Sequence, residues 1–490
     1  MLSPWGTQVA LLLSHLLLVG ILGWYLITNL QWYNYKLERV LFKHHKRAWH
    51  LLYFLLPVGL YYAFSSSWVY WVYFYAVALP MFVLWHRKQD KKLVLTGRVK
   101  RFFALLFIVA LLQDLLCLAI WHCQLFGLLL PLMITLAIST AIEKYLFLLY
   151  YRQAKAKLAS RPQLKIAAIT ASYGKTSIKN FLAHLCAQRY NVYKTPRSVN
   201  TLGGLVKDIN ESLPPDIDLY IAEAGAREPG DIADIALFLE PSYLIIGTVG
   251  EAHIDYFKNL DRTRATKKEL LLSPKRRWAL VHESAGEVEA APGIVRFGPS
   301  YDYKITACQG DLSGISFTLA TPEGSFAFQA PLLGSFNAEN IAMALLLARE
   351  LGLSWEELQA STATLPVVEH RLQRIDAGGK IILDDSFNGN PAGIKEGIRL
   401  CRLHPGRKII VTPGLVESTK EANEEIAHLI DVTFDLAIIT GSLNAALFKE
   451  KLKHPEVIIL GNKETLTSIL AEKTRLGDLI YFANDAPTFI

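Results

Sequence analysis

Residues 165–180 read Lys165-Ile166-Ala167-Ala168-Ile169-Thr170-Ala171-Ser172-Tyr173-Gly174-Lys175-Thr176-Ser177-Ile178-Lys179-Asn180. An apolar run of strand length ends in glycine, lysine and two hydroxyl residues, after which Ile178, Phe181, Leu182 and Leu185 recur at helical spacing. A strand that turns through Gly-Lys-Thr into a helix offers phosphate oxygens the free N–H groups of the helix start. Lys175 can neutralise them and the Thr176 hydroxyl can ligate Mg²⁺. The stretch therefore reads as a phosphate-binding turn, and the chain as a user of ATP. One position departs from the usual P-loop: Ile169 stands where that loop has its first glycine. A bare Gly-Lys-Thr also occurs as a solvated helix start, so the flanking strand and helix carry the distinction.

The 490 residues have room for roughly three domains. Their 52% hydrophobic content is unevenly spread, with Leu, Trp, Tyr and Phe dominating up to about Tyr151 and ordinary alternation beyond Lys155. Apolar stretches at 7–30, 50–64, 67–85, 102–122 and 125–151 mostly approach the ~20 residues that cross a bilayer; the second is short. Five spans are expected, within a range of four to six, with 50–85 a tight helical hairpin or a re-entrant pair. Lys36, Arg39, Lys43, Lys46 and Arg47 follow the first stretch, and Arg87, Lys88, Lys91, Lys92, Arg98, Lys100 and Arg101 follow the third, whereas 65–67 and 122–124 hold no Lys or Arg. Basic loops stay cytoplasmic. The expectation is a multi-pass protein of the bacterial inner membrane, N-terminus outside and soluble part inside. With no Lys or Arg before Lys36, the first stretch reads as a retained anchor. Asp114 and the Glu143-Lys144 pair fall inside spans, where an ionisable group is either functional or paired. The net charge of +7 comes mostly from the basic loops and points to anionic lipid rather than nucleic acid. Five cysteines without Cys-x-x-Cys suit reduced thiols and no metal cluster.

From Lys165 on, strands at 166–170, 219–222, 243–249 and 278–281 alternate with helices at 176–189, 230–239 and 263–272. Such alternation predicts a parallel sheet flanked by helices, with ligands at the strand C-terminal ends. Three motifs fall there: Gly174-Lys175-Thr176, Glu223-Ala224-Gly225-Ala226 and Gly250-Glu251-Ala252-His253. Short antiparallel strands are expected within 301–330, and 334–340 opens a helix rich in Ala and Leu. A second α/β unit starts near Thr364, with strands at 380–383, 408–412, 436–440, 457–460 and 479–482. The expected organisation is an α-helical membrane domain at 1–155, a P-loop-type ATP-binding central domain at 156–362 and a Rossmann-like C-terminal domain at 363–490, with ATP and substrate meeting between the last two.

Residues 160–490 resemble the Mur ligase family, the ATP-dependent amide-forming ligases of peptidoglycan precursor synthesis. The family's short phosphate loop, Thr-Gly-x-x-Gly-Lys-Thr, is similar to 170–176 with Ala171 for glycine, which accounts for Ile169. The resemblance implies ATP contacts from Ala171, Ser172, Tyr173, Gly174, Lys175, Thr176 and Ser177. Asn200-Thr201-Leu202-Gly203 looks like a family segment that would bring Asn200 and Thr201 to substrate. The resemblance further implies Mg²⁺ held by Thr176, Glu223, His253 and a carbamylated Lys267. Without it, His253 reads as a buried structural histidine, since Mg²⁺ prefers oxygen, and Lys267-Lys268 as surface lysines. Asn337 and Asn340 match an Asn-x-x-Asn whose first Asn meets adenine, with Phe336 in place of the usual His.

His370-Arg371 looks like the segment that brings an arginine to the phosphates, and 384–391 resembles Asp-Asp-x-Tyr-Asn-Ala-Asn-Pro, with Asp385 at the ribose and Asn388 and Asn390 toward substrate. That octapeptide, with 412–417, points to the branch that joins D-alanyl-D-alanine to UDP-muramoyl-tripeptide. The resemblance then implies Lys175, His253, Lys267 and Arg371 as the catalytic set and ATP and Mg²⁺ as cofactors. Members of that branch carry a soluble N-terminal domain for the UDP-sugar where this chain is apolar. Two other expectations therefore stand beside it. One is a membrane-anchored ligase for a lipid-linked or poly-amino-acid acceptor, in contact with membrane lipid and other cell-wall synthesis proteins; the other is a non-catalytic ATP-binding membrane scaffold.

Overall fold

The computed structural model describes residues 4–484 except 43–45, 47, 66, 90–91, 122–125, 198, 251–258, 388, 417 and 462–464, and of 4–7 and 120–121 the backbone only. The chain divides into two compact units, Met1–Leu149 and Tyr150–Ile490.

Among the described residues four helices are long and apolar enough to cross a membrane: Gln8–Trp32, Trp68–Arg87, Gly97–Ala119 and Leu129–Ala159. The second expected stretch forms a shorter apolar helix, Ala48–Phe64. Leu18, Leu22, Tyr61, Tyr70, Phe102 and Leu106 pack the core of the first unit, while Trp68, Leu112 and Met133 are among many large apolar side chains facing outward. Besides the π-turn at Cys117–Trp121, two helices among the described residues widen into π-turns at Leu51–Leu55 and Phe74–Ala78, just ahead of Pro57 and Pro80. The prolines explain this, because each lacks an N–H and its ring crowds the carbonyl four residues back, which one extra residue per turn relieves. Both acidic groups noted inside spans are paired. His15 Nδ1 lies 2.8 Å from Asp114 Oδ2, and Arg101 donates to Glu143 at 2.7 and 2.9 Å. Cys117 is disulfide-bonded, which corrects the expectation of uniformly reduced thiols; Cys186, Cys308 and Cys401 are free.

In the second unit β1 (Lys165–Thr170), β2 (Val192–Lys194), β3 (Leu219–Glu223), β4 (Tyr243–Ile246), β5 (Trp278–His282) and β6 (Ile294–Phe297) form a parallel sheet in the order β2-β3-β1-β4-β5-β6. Alternate residues feed its two faces. Ala167, Ile169, Leu219 and Ile221 pack with Ile178, Phe181 and Leu182 of the helix Lys175–Cys186, whereas Ile166, Ala168, Tyr220 and Ala222 pack with Leu205, Ile232 and Ile235. Strands apolar on both sides need both faces covered, and each Leu, Ile or Phe so buried contributes ~1.5–3 kcal/mol. The helix Phe336–Glu350, buried on nearly all sides, packs against Lys175–Cys186. β7 (Lys304–Gly310), β8 (Ile315–Thr321) and β9 (Gly324–Ala330) make the antiparallel sheet expected within 301–330.

A second six-stranded sheet is built from β10 (Gln373–Ala377), β11 (Lys380–Asp385), β12 (Lys408–Thr412), β13 (Leu436–Thr440), β14 (Glu456–Leu460) and β15 (Leu479–Ala483), in the order β10-β11-β15-β12-β13-β14. Only β10 runs antiparallel, as one arm of a hairpin with β11. In the first sheet the chain leaves β1 toward β2 and β3 on one side, then crosses to β4, β5 and β6 on the other. The carboxyl end of β1 is thus a switch point, where a ligand crevice opens in such sheets. β4 stops at Ile246 instead of reaching 249 because the next residues turn across β1: Gly247 N–H donates to Thr170 O, and Thr248 O accepts from Ser172 N–H, both at 2.8 Å.

Candidate active site

Gly174 precedes the helix Lys175–Cys186 with φ +80°, a left-handed conformation that favours glycine, and a Cβ there would collide with the Asn340 side chain. Ala171 is fully buried and not left-handed, so the family's missing glycine carries no backbone penalty. Ser172 Oγ donates to Gly250 O at 3.0 Å, and the Tyr173 ring lies against Gly250. Lys175 Nζ donates to the carbonyls of Ala171 at 2.6 Å and Ser172 at 3.3 Å. Burial lowers the Lys175 pKa to about 8; Glu223 opposes that shift and Arg371 adds to it. Thr176 is half-buried at the helix start and Ser177 is buried.

β3 ends on Glu223, which is 1% exposed. Its Oε1 forms an ion pair with Lys179 Nζ at 2.7 Å, and neither carboxylate oxygen has a hydrogen-bond partner among the described residues. A buried carboxylate oxygen left alone is costly unless a cation or donor completes it. The residues therefore fit a divalent metal beside phosphates. Two residues on, a Cβ at Gly225 would run into the Asn200 side chain, and Gly225 N–H donates to Asn200 O at 2.7 Å. Thr201 Oγ1 instead caps the helix Leu202–Glu211, accepting from Gly204 N–H at 3.2 Å.

Lys267, on the helix Leu260–Lys268, is 4% exposed, and no hydrogen bond from its ammonium is present among the described residues. Burial first, then the nearby Lys175 charge, holds its pKa well below the usual lysine range. Arg371 stands between two left-handed residues, His370 at φ +60° and Leu372 at φ +52°. Burial lowers the Arg371 pKa, with Asp385 and Glu223 opposing. Burial raises the Asp385 pKa to about 6 against the pull of Arg371. Asn337 Nδ2 donates to Leu333 O at 2.7 Å, and its Oδ1 accepts from Asn340 Nδ2 at 3.2 Å. Asn390 Oδ1 caps the helix Pro391–Arg402 by accepting from Gly393 N–H at 2.9 Å. A cavity of about 140 Å³ is lined by Ser177, Phe181, Leu333, Asn337, Val368 and Arg371.

Lys175, Glu223, Lys267, Arg371 and Asp385 thus share one electrostatic neighbourhood, with Asn340 against the phosphate loop and Thr201 and Asn390 engaged as helix caps. His253 and Asn388 lie outside the described residues, as do Glu251 to Asp255 and Glu417. Among the described residues no three His, Cys, Asp or Glu side chains cluster as a metal site. Sequence reading missed Lys179, whose signal was its spacing: it follows Lys175 by one helical turn and sits between the buried Ile178 and Leu182.

Residues 169–348 match the Mur ligase middle domain. Over 276 residues the chain is 27% identical to the UDP-N-acetylmuramoyl-tripeptide--D-alanyl-D-alanine ligase of Escherichia coli (strain K12), which covers 54% of this chain and 60% of that protein. With the protein of the same name from Bacillus subtilis (strain 168) the identity is 24% over 333 residues, 65% of this chain and 72% of that protein. The chain thus spans about 60% of the length of the E. coli relative. Among solved structures, MurF from Acinetobacter baumannii superposes at a TM-score of 0.60 with 22% identity, over 69% of this chain and 76% of that one. MurF ligase from Thermotoga maritima in complex with ADP gives 0.60 with 23% identity, over 69% and 80%. These structures share the fold. Residues 169–348 thus correspond to a Mur ligase middle domain, and the chain is similar in sequence to the UDP-N-acetylmuramoyl-tripeptide--D-alanyl-D-alanine ligases.

Proposed function

We propose that the chain is an ATP-dependent carbon–nitrogen ligase that joins D-alanyl-D-alanine to UDP-muramoyl-tripeptide in peptidoglycan precursor synthesis, with its first unit in the bacterial inner membrane. The observation that carries the reading is the meeting of Lys175, Glu223, Lys267 and Arg371, from four separate segments, around the end of β1. Members of the Mur ligase family are ATP-dependent ligases.

An amide forms only once the acceptor carboxylate is made electrophilic. Transfer of the ATP γ-phosphoryl group to that carboxylate gives an acyl phosphate; the amine of D-alanyl-D-alanine attacks the acyl carbon, and phosphate leaves with the electron pair. The obstacle is the approach of two anions. Lys175 and Arg371 supply cations against it. Lys175 would move from the Ala171 and Ser172 carbonyls onto phosphate oxygens, whose charge raises its pKa again and keeps it protonated when loaded. Mg²⁺, when bound, would screen the phosphates, and Glu223 Oε2 and the Thr176 hydroxyl would hold it. The depressed pKa of Lys267 favours the neutral amine, the form that adds CO₂ to become a carbamate. The 140 Å³ cavity lined by Asn337 and Arg371 is smaller than the ~300–1,000 Å³ of small-molecule sites, and movement of the segment bearing Arg371 would enlarge it for ATP.

The basic loops after the first and third apolar stretches favour an outside N-terminus. That topology puts the Cys117 end of Gly97–Ala119 outside, where a disulfide suits an oxidising compartment. The size of the apolar unit favours a second reading, in which the acceptor is lipid-linked. Phosphate release by the full chain decides between them. Release that requires both UDP-muramoyl-tripeptide and D-alanyl-D-alanine is expected; release only with a lipid-linked acceptor selects the second reading, and ATP binding without any release sinks both.

A further inference from the structure

Among the described residues, Lys179 is the one buried cation near Glu223 for which the proposed chemistry has no use. It lies one turn beyond Lys175 on the helix Lys175–Cys186 and is 1% exposed. Its ammonium donates to Thr195 O at 2.7 Å and Arg197 O at 2.6 Å and forms an ion pair with Glu223 Oε1 at 2.7 Å. The two carbonyls belong to the loop between β2 and the helix Leu202–Glu211, in which Arg197 is left-handed at φ +46°. The same loop is tied to β3 through Thr195 N–H to Ile221 O at 3.0 Å and, two residues past the strand, through Asn200 O, which accepts from Gly225 N–H. One side chain therefore ties the phosphate-loop helix, a strained loop and the last residue of β3.

We propose that Lys179 is a positioning residue for a divalent cation: by its ion pair with Glu223 Oε1 it holds the carboxylate so that Oε2, the oxygen outside that pair, is left for the metal, and it ties Thr195 and Arg197 to the same point. The inference rests on the reading of Glu223 as a metal ligand. Two effects of removing Lys179 oppose each other. The nearby positive charge repels a cation, so its loss relieves that repulsion; but the carboxylate also loses what sets its orientation and charge balance. The second effect governs, because partners of ligating carboxylates carry ~10–100-fold in metal affinity, whereas much of the Lys179 charge is already taken up by Glu223 and two carbonyl dipoles.

Mn²⁺ binding to the full-length protein with saturating ADP, followed by the loss of the free-ion electron paramagnetic resonance signal, tests this without turnover. Lys179→Met is expected to raise the Mn²⁺ Kd ~10–100-fold while metal-free ADP binding stays within about threefold, a split that a merely structural residue does not produce. A folded Lys179→Met protein with a Mn²⁺ Kd within threefold of the parent overturns the proposal. Glu223→Gln separates the layers: if it leaves Mn²⁺ binding unchanged, the metal reading fails and takes the proposal with it, and if it weakens Mn²⁺ while Lys179→Met does not, only the positioning role fails. Should Lys179→Met not fold, Lys179→Arg decides, because a planar guanidinium keeps the charge but cannot bring one nitrogen to all three oxygens. A raised Mn²⁺ Kd in that variant supports the proposal, and an unchanged one overturns it.

Discussion

His370 Nδ1 lies 2.7 Å from Asp384 Oδ2, pairing a fully buried aspartate with a histidine whose backbone is left-handed at φ +60°. Leu372, two residues on, is left-handed as well. Such non-glycine conformations cost ~1–3 kcal/mol each and persist only where surrounding contacts hold them. The pair therefore supports the bend that presents Arg371. His370→Ala is expected to lower kcat/KM for ATP by up to ~10²-fold, as misplacement of a charge-stabilising group does, and to lower the unfolding temperature as well, because the buried Asp384 carboxylate loses its partner. Steady-state kinetics check this, and parental kinetics in the variant would mean that Arg371 is held by other contacts.

Asp385 sits beside that pair, and burial raises its pKa from 3.8 to about 6. A folded-state pKa above the unfolded one means that the fold favours the neutral acid, so the stabilisation is fully present below about pH 4 and is lost as pH rises through about 6. Asp385→Asn should thus be more stable than the parent at pH 7–8, by ~1–3 kcal/mol at 1.36 kcal/mol per pKa unit, while binding ATP more weakly. Thermal unfolding from pH 4 to 8 is the measurement; curves that stay parallel over that range contradict it.

Lys175→Ala should abolish ligation and ATP binding without changing the unfolding temperature, since the helix it opens keeps its buried face of Ile178, Phe181, Leu182 and Leu185. Lys267→Ala should also inactivate, and added bicarbonate should not restore it. A short carboxylic acid placed in the space of a carbamate should recover part of the rate. Normal turnover and Mg²⁺ dependence in Lys267→Ala would refute the carbamate reading.

The core of the second unit was legible in the sequence because β1, β3, β4 and β5 are apolar runs and the phosphate-loop helix repeats its apolar residues at helical spacing. β2 and β6 were not, being three and four residues long at the two sheet edges, too short for alternation to show. β10 escaped for another reason: Gln373, Arg374 and Asp376 make a polar edge strand whose partner is set by the hairpin. At the site, motif order pointed to Lys175, Glu223 and Arg371, but burial is a tertiary property. Without the resemblance Lys267 reads as one of two solvated lysines, yet it is 4% exposed, while Thr201 and Asn390 are residue types that serve equally as ligands or caps, and the fold uses them as caps.

In the first unit, removing one member of the His15–Asp114 pair should destabilise more than removing both. Neither side chain is exposed, and Gln113 Nε2 also donates to Asp114 Oδ1 at 3.3 Å. Breaking a buried pair from one side costs ~3–5 kcal/mol, whereas replacing both partners with apolar residues is often neutral. His15→Leu should therefore lower the unfolding temperature of the full chain in detergent, and His15→Leu with Asp114→Leu should recover most of it. Equal losses in the single and double variants would show that the pair is not coupled.

A chain beginning at Tyr150 should fold and bind ATP, while one beginning at Lys165 should be less stable. The difference lies in the segment before β1. The Tyr151 ring packs 4.8 Å from that of Phe238, Lys155 Nζ reaches Glu240 Oε1 at 2.7 Å and Leu237 O at 2.8 Å, and Lys157 Nζ donates to Ile209 O at 2.7 Å. These contacts cover the helices Leu202–Glu211 and Asp231–Leu239, so deleting them uncovers apolar surface on one side of the sheet. Every residue assigned to the chemistry lies beyond Thr170, so the Tyr150–Ile490 protein is also expected to ligate soluble substrates. Phosphate release and product formation, compared with the full chain, are the measurements. If the shortened protein is folded and binds ATP but does not ligate UDP-muramoyl-tripeptide at any concentration, acceptor recognition resides in the first 149 residues, and the lipid-linked reading replaces the soluble one.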